Sequence, residues 1–473
     1  MNGATLHDLA LLTPELILVG MALAIILVAR RIQQTPLPVI GTVGAALSAA
    51  LASAWMLSWG AQTGFGGMLA LDGYSQFFKV LIAATLALAS LLSVQRIDQE
   101  QVPRAEFHAL LLLASTGMML AVSALDLLTL FLSLELMTLC SYTLVGITVD
   151  RPASNEAAIK YFLLASFASA LLLYGISLTY GVTGSTGFAA IASTLLQRGL
   201  GGNPILLVGI GLVTAGIAFK IAAAPLHTWA PDAYQGASAP VAAFLAAGSK
   251  AAGLGALGRV GLVAFGSEAS ALSAVLLGLA ALSIAVGSVV ALSQTNMKRL
   301  LAYSSISHAG YALLGLIAGT PEGVSATMTY AFFYVFMTLG AFGVVIALGE
   351  RGENLDGYQG LAAQRPATAA LMLLFLLSLT GIPPTAGFAA KFVVILSVVR
   401  ADYIALAVLA VACSVVSAFI YMRVAVLMYM SEPRDPAPAR LPVAVSAALA
   451  VAALVTLAGG ISPGSFTPWA VSP

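Results

Sequence analysis

The chain has 473 residues, 60% of them hydrophobic and 8% charged, with a net charge of +1. Soluble domains carry about 25% charged residues, so this composition describes an integral membrane protein, and no basic tract is present to engage nucleic acid. Two cysteines, Cys140 and Cys413, lie inside apolar runs. A metal site needs more ligands than that, and small buried packing groups fit them better.

A transmembrane helix takes about 20 mostly apolar residues. By that measure about fourteen spans follow one another, at roughly 11–29, 37–59, 74–94, 106–123, 125–147, 157–182, 204–224 continuing to 236, 240–265, 271–293, 300–318, 324–348, 367–381 continuing to 400, 403–429 and 441–460. The fold class expected is an all-α polytopic membrane protein. The first span has its arginines after it, whereas a cleavable signal carries its charge in front.

The loops set the orientation. Arg30, Arg31, Arg96, Arg104, Arg151, Lys160, Lys298, Arg299, Arg351, Arg365, Arg434 and Arg440 follow odd-numbered spans, and only Arg198 and Arg400 follow even-numbered ones. Basic loops stay on the cytoplasmic side, which puts both termini outside.

Span 7 is interrupted. The stretch AFKIAAAPLHTWAPDAYQGASAPVAAFLAAGSK, residues 218–250, holds Pro225, Pro231 and Pro240 between Lys220 and Lys250. Proline removes a backbone donor and clashes with the preceding turn. A broken helix at membrane depth survives only where protein or a watery cavity receives the freed groups. Span 12 repeats the pattern: LLFLLSLTGIPPTAGFAAKFVVIL carries Gly381, Pro383, Pro384 and Gly387, then Lys391. Interrupted helices at corresponding positions point to a transport path between structural repeats. Five spans separate the two breaks. Spans 4–8 and 9–13 are therefore expected to be two five-helix repeats, inverted because each has an odd number of crossings. The domain reading is 1–105, helices 1–3; 106–265, the first repeat; 266–430, the second; and 431–473, helix 14.

Ionisable residues inside spans are functional candidates by default. Glu135 lies in mid-span 5, and Lys220 on the broken helix is the natural partner for it. Lysine suits a relay because a buried ammonium can give up its proton, whereas guanidinium stays charged. Lys220, Lys250 and Lys391 are therefore relay candidates, joined by His308 in span 10, which titrates near neutral pH. His227 and Asp232 lie in the first break; relay membership and the satisfaction of orphaned backbone groups are both open to them.

The remaining charges read more plainly. Lys79 and Arg423, near span ends, are expected to snorkel, and Lys298 to anchor at the interface. Arg259 suggests a structural pair or an interface contact. Glu156 and Lys160 are i,i+4 partners. Glu15, Asp72 and Asp126 mark span ends, and Gly253, Gly255 and Gly258 allow close helix packing.

These residues resemble those of the antiporter-like membrane subunits of respiratory complex I, within NADH-quinone oxidoreductase. The glutamate of helix 5 matches Glu135, the lysine before PLHTWAPDAYQGA matches Lys220, and the helix 8 lysine matches Lys250. NMKRLLAYSSISHAGY, around His308, is similarly characteristic. EAAIKYFLLASFASALLLYGISLTYGVTGST and GIPPTAGFAAKF favour the subunit N family over L and M, since M carries glutamate where Lys391 stands. The resemblance implies a proton-translocating subunit of the bacterial inner membrane that binds no cofactor itself. It implies partner subunits that hold NAD, FMN, iron–sulfur clusters and quinone, with L, M and the small membrane subunits beside it and lipid around it. Two rival readings are a subunit of a multi-subunit Na⁺/H⁺ antiporter and a structural subunit that moves no ions. A sodium site would need several oxygen ligands.

Overall fold

In a computed structural model, residues 3–433 and 441–466 are described, with side chains from residue 6 onward. Arg434 and Arg440, counted above in the basic loops, lie outside the described residues. Helices occupy the apolar runs read from the sequence, because a peptide group in hydrocarbon must find its partner within its own segment. In chain order they are α1 (Thr13–Leu27), α2 (Leu37–Met56), α3 (Gly73–Gln99), α4 (Arg104–Ser123), α5 (Leu127–Val145), α6 (Pro152–Thr183) and α7 (Pro204–Lys220). After the first break come α8 (Trp229–Gly236), α9 (Ala239–Phe244) and α10 (Lys250–Arg259), the last two joined by a π-helical turn, Leu245–Ser249. Then follow α11 (Ala269–Ala291), α12 (Met297–Ile317), α13 (Pro321–Leu348), α14 (Pro366–Thr380), α15 (Ala386–Arg400), α16 (Ile404–Met430) and α17 (Val443–Ile461). Among the described residues, eleven helices are long and apolar enough to cross a membrane, and α1, α7 and α14 are shorter apolar helices.

Three elements escaped the sequence reading. A short helix, Gly3–Leu11, precedes α1. A two-stranded hairpin pairs Gln62–Gly64 with Leu69–Leu71 before α3. An amphipathic helix, Phe188–Arg198, links α6 to α7 and buries Phe188, Ile191 and Leu195 along one face. None of them has the length or the continuous apolarity that marks a span.

The core is built around one continuous segment. Ala239–Gly261 is buried along its whole length, α12 and α13 nearly so, whereas most residues of α2, α6, α16 and α17 are at least partly exposed. Small residues make that centre possible. A Cβ on Gly253, Gly255 or Gly258 would stand 2.5 Å from Ile221 Cγ2, 2.8 Å from Val122 Cγ1 or 2.5 Å from the Tyr74 hydroxyl oxygen. The expectation of close packing there is met, and it lets α3 and α4 press directly on α10.

Both breaks are stitched by side chains. At the first, Ala222 turns the chain at φ +56°, a left-handed conformation costly for a residue with a Cβ. The Phe219 carbonyl accepts from Trp229 Nε1 at 3.0 Å, and the Ala224 amide donates to Ser283 Oγ on α11 at 2.8 Å. At the second, Gly381 turns the chain at φ +90°. The Gly387 amide donates to Ser378 Oγ at 3.0 Å, closing α15 onto α14.

Several charges depart from the sequence reading. Lys79 does not snorkel: it is buried and pairs with Glu15 at 2.8 Å, so Glu15 is not a plain span-end residue either. Arg423 turns to the end of α11, donating to the Leu292 carbonyl at 2.9 Å and the Gln294 carbonyl at 2.6 Å. In each case an internal partner lies nearer than the interface. Arg259 forms the structural pair suggested for it, with both terminal nitrogens on the Asp72 carboxylate at 2.7 and 2.8 Å. Glu156 and Lys160 pair at 2.6 Å, as their spacing suggests.

Gly387 offers a direct check on the second break. A Cβ there would lie 1.7 Å from the Ser378 carbonyl oxygen, whereas one on Gly211 would meet nothing within 4 Å. Backbone cannot yield cheaply in a packed core, and such overpacking costs about 1–3 kcal/mol or more. Gly387→Ala is expected to lower the amount of folded protein in membranes sharply, and Gly211→Ala to leave it unchanged, as measured by immunoblot after native electrophoresis.

Candidate functional site

The two breaks and the central helix bring the candidate residues into one buried band. Lys220 is the last residue of α7, where the partial negative charge of the helix C-terminus favours a cation. Its Nζ lies 3.4 Å from Glu135 Oε1 on α5 and donates to Thr138 Oγ1 at 2.7 Å. Ser169 Oγ of α6 donates to the same Glu135 oxygen at 2.5 Å. Lys220 is 1% exposed while the Glu135 side chain is 27% exposed. The pair thus reaches from the core to the edge between α5 and α6.

Lys250 stands where the π-helical turn ends and α10 begins. A π-turn inserts a residue into the helical register and is common at functional positions; here it sets which way Lys250 faces. Its Nζ donates to the Tyr234 hydroxyl of α8 at 3.3 Å, and no carboxylate pairs with it among the described residues. An ionisable residue without an acidic partner inside a membrane span is a functional-site candidate by default.

His308 lies on α12, its Nδ1 hydrogen-bonded at 2.7 Å to the Tyr330 hydroxyl of α13. Its ring also packs 5.3 Å from that of Tyr334, centroid to centroid. Ser305, one turn earlier on α12, faces both Tyr234 and Tyr334. Yet its Oγ and the Tyr334 hydroxyl have no direct hydrogen-bond partner. Two orphaned buried hydroxyls beside each other make a place for bridging water, which needs two to four polar partners.

Lys391 closes the band at the second break. Its Nζ donates to the Thr380 carbonyl, freed where α14 stops, at 2.8 Å, and to Ser414 Oγ at 2.9 Å. It also sits 4.5 Å from the centroid of the Tyr311 ring, which stacks on Tyr330. In order, the band runs Glu135, Lys220, then Lys250, Tyr234, Ser305, Tyr334, His308, Tyr330, Tyr311 and Lys391. The hydroxyls were missed in the sequence. Tyrosine and serine look like packing residues on an apolar helix, and only their convergence on the lysines reveals a polar role. Hydroxyl groups both donate and accept, so they can pass a proton between lysines that must not touch.

The two residues proposed within the first break stand apart from that band. Asp232 pairs with Arg299 at 2.6 Å and Lys160 at 3.4 Å, both partly exposed. His227 is half-buried with no hydrogen-bond partner on Nδ1. Lys298 is fully buried, which corrects its reading as an interfacial anchor: its Nζ donates to the Ala237 carbonyl at 2.9 Å and pairs with Glu353 at 3.2 Å. Glu353 also meets Arg96 at 2.9 Å, and Arg96 and Arg151 share Glu100. This cluster holds the ends of α3, α6 and α12 to the turn after α13.

The family described as NADH:quinone oxidoreductase/Mrp antiporter, TM, matches residues 124–417. NADH-quinone oxidoreductase subunit N of Desulfovibrio desulfuricans is 43% identical, over 98% of this chain and 96% of that one. A chain of respiratory complex I from Thermus thermophilus superposes with a TM-score of 0.82 at 35% identity, covering 96% of this chain and 99% of that one. A chain of the Mrp complex from Dietzia sp. has a TM-score of 0.85 at 23% identity, over 98% and 96% of the two chains, a likeness of fold alone.

Tyr330→Phe removes the side-chain hydrogen bond to His308 Nδ1 while keeping the ring that packs there. A single buried hydrogen bond is worth about 1 kcal/mol net and somewhat more where its partner is left orphaned. The variant is expected to assemble normally and, on the function proposed below, to slow proton movement by about tenfold or less, read as initial pumping rate in membrane vesicles.

Proposed function

The chain belongs to the NADH-quinone oxidoreductase subunit N family, and on that footing we propose that it translocates protons as a non-redox subunit of the membrane arm. The reading rests above all on one observation: the partnered Lys220, the Lys250 that meets only a tyrosine hydroxyl, and Lys391 lie along one buried band that crosses both helix breaks. Protons would move along Glu135, Lys220, Lys250, His308 and Lys391, carried between them by hydroxyls and water. Like charges in a low dielectric repel by several kcal/mol, so loading one lysine favours release from the next. Motion of charge then needs no hinge. His227 and Asp232 would serve beside this band rather than in it.

The architecture proposed with this function has about fourteen crossings, counting each broken pair as one. Residues 106–265 and 266–430 would be inverted repeats, flanked by helices in 1–105 and 431–473. The chain would lie in the bacterial inner membrane with both termini on the periplasmic side, against L, M and the small membrane subunits. NADH oxidation and quinone reduction, with their NAD, FMN and iron–sulfur clusters, would belong to partner subunits. No cofactor role falls to this chain.

Lys250→Ala tests the middle of the band. It is expected to assemble, to pump few protons and to slow coupled electron transfer; normal pumping would make Lys250 structural and favour a subunit that moves no ions. Lys391→Arg tests the far end, because it keeps the charge but withholds the proton. The arginine variant is expected to assemble and to lose pumping, measured as protons moved per NADH oxidised in sodium-free medium. Loss of pumping by the native complex in that medium would instead indicate a sodium-coupled antiporter.

A further inference from the structure

The four N-terminal helices hold a second set of buried polar groups that the central band does not use. Glu15 on α1 and Lys79 on α3 pair at 2.8 Å, and their side chains are 3% and 2% exposed. Apart from that lysine, neither Glu15 oxygen has a hydrogen-bond partner. Gln76 lies one turn before Lys79 on the same face of α3, is fully buried, and leaves both its amide oxygen and its amide nitrogen unpartnered. A buried primary amide with no partner at either end is costly, because its donors and acceptor lose their water without replacement. Ordered water with two to four polar neighbours is the usual remedy.

The same four helices carry a trail of such groups. Ser53 and Thr42 on α2, Ser115 on α4, and His108 Nε2 on α4 are all buried and orphaned. His108 reaches a cavity of about 280 Å³ lined by Pro36, Ile40, Leu91 and Arg104 at the far end of the bundle. Ser90 of α3 lies 3.4 Å from its Nδ1. No other charge shares the depth of the pair on the elements around it. Glu15 is the sole charge of α1, and α2 has none. Arg104, Glu106 and His108 stand at the opposite end of α4, and Arg259 is engaged with Asp72, which caps the start of α3. At the near end, Leu11, Met56 and Leu71 form a small apolar cluster of their own, packed with Trp59.

We propose that Glu15, Lys79 and Gln76 form a second protonatable, water-holding site in the N-terminal helices, separate from the central band. Its elementary step is transfer of one proton from the Lys79 ammonium to the Glu15 carboxylate, directly or through water held by Gln76. The Nζ–H bond breaks as an O–H bond forms, and two charges become none. Nothing is oxidised or reduced. A merely structural ion pair would not need a buried, unpartnered amide one turn away on the same helix. Its contribution to pumping, as distinct from its hydration, rests on the proposed function.

A high-resolution electron cryo-microscopy map and three variants of the intact complex test it. The map of the wild-type complex is expected to show ordered water within hydrogen-bond distance of the Gln76 amide. A closed, dry pocket around that amide overturns the site. Lys79→Arg keeps the pair but withholds the proton, and is expected to assemble with fewer protons moved per NADH. Wild-type stoichiometry in Lys79→Arg would reduce the pair to a structural role. Should the larger guanidinium prevent assembly, the neutral double variant Glu15→Gln/Lys79→Gln decides in its place, with lowered stoichiometry expected and wild-type stoichiometry contrary. Lys250→Arg, measured alongside, separates the two readings: normal pumping there strikes at the central band, and normal pumping in the Lys79 variants strikes only at this site.

Discussion

A helix cut in mid-membrane leaves peptide groups that lipid cannot satisfy, and the rest of this fold is arranged around two such cuts. Everything that receives the freed groups is itself polar: Trp229 Nε1 and Ser283 at the first break, Ser378, Ser414 and Lys391 at the second. Those partners must lie deep in the bundle, so the breaks drag polar side chains to a depth where few others occur. The lysines are placed by the same logic. Lys220 ends a helix and meets its negative pole, while Lys391 grips a carbonyl that the break exposes. A buried charge and a broken backbone thus solve each other's problem.

That economy explains why the central helix is so tightly enclosed. Ala239–Gly261 is buried throughout, and glycines admit α3 and α4 against it. Enclosure keeps the dielectric low, and a low dielectric makes each lysine sensitive to the charge on the next. The same enclosure would trap unpaired polar atoms at high cost unless water entered. Ser305 and the Tyr334 hydroxyl are two such atoms, set between Lys250 and His308.

Much of this was legible in the sequence. Hydrocarbon thickness imposes one length on every span, so the apolar runs could be read with errors of only a few residues, and proline in an apolar run announced both breaks. Glu135 and Lys220 were legible as partners because opposite charges in lipid have few alternatives. The hydroxyl groups were not. Tyr234, Tyr330 and Tyr334 each read as packing residues, and only three-dimensional convergence turns the first toward Lys250 and the other two toward His308. The Glu15–Lys79 pair was hidden for a related reason: each residue lies near a span end, where an interfacial role is the ordinary one, and their neighbourhood across two helices carries no local signature. The π-turn before Lys250 left no mark in AAFLAAGSK, whose small residues suit an ordinary helix equally well.

The continuity of polar groups between Lys250 and His308 matters most, because the proton movement proposed for this chain would pass through it. A high-resolution electron cryo-microscopy map of the intact complex would test it most directly. The expected result is ordered water within hydrogen-bond distance of both Ser305 Oγ and the Tyr334 hydroxyl, joining Tyr234 to His308. Apolar side chains closing that gap, with no water between the two hydroxyls, would contradict it.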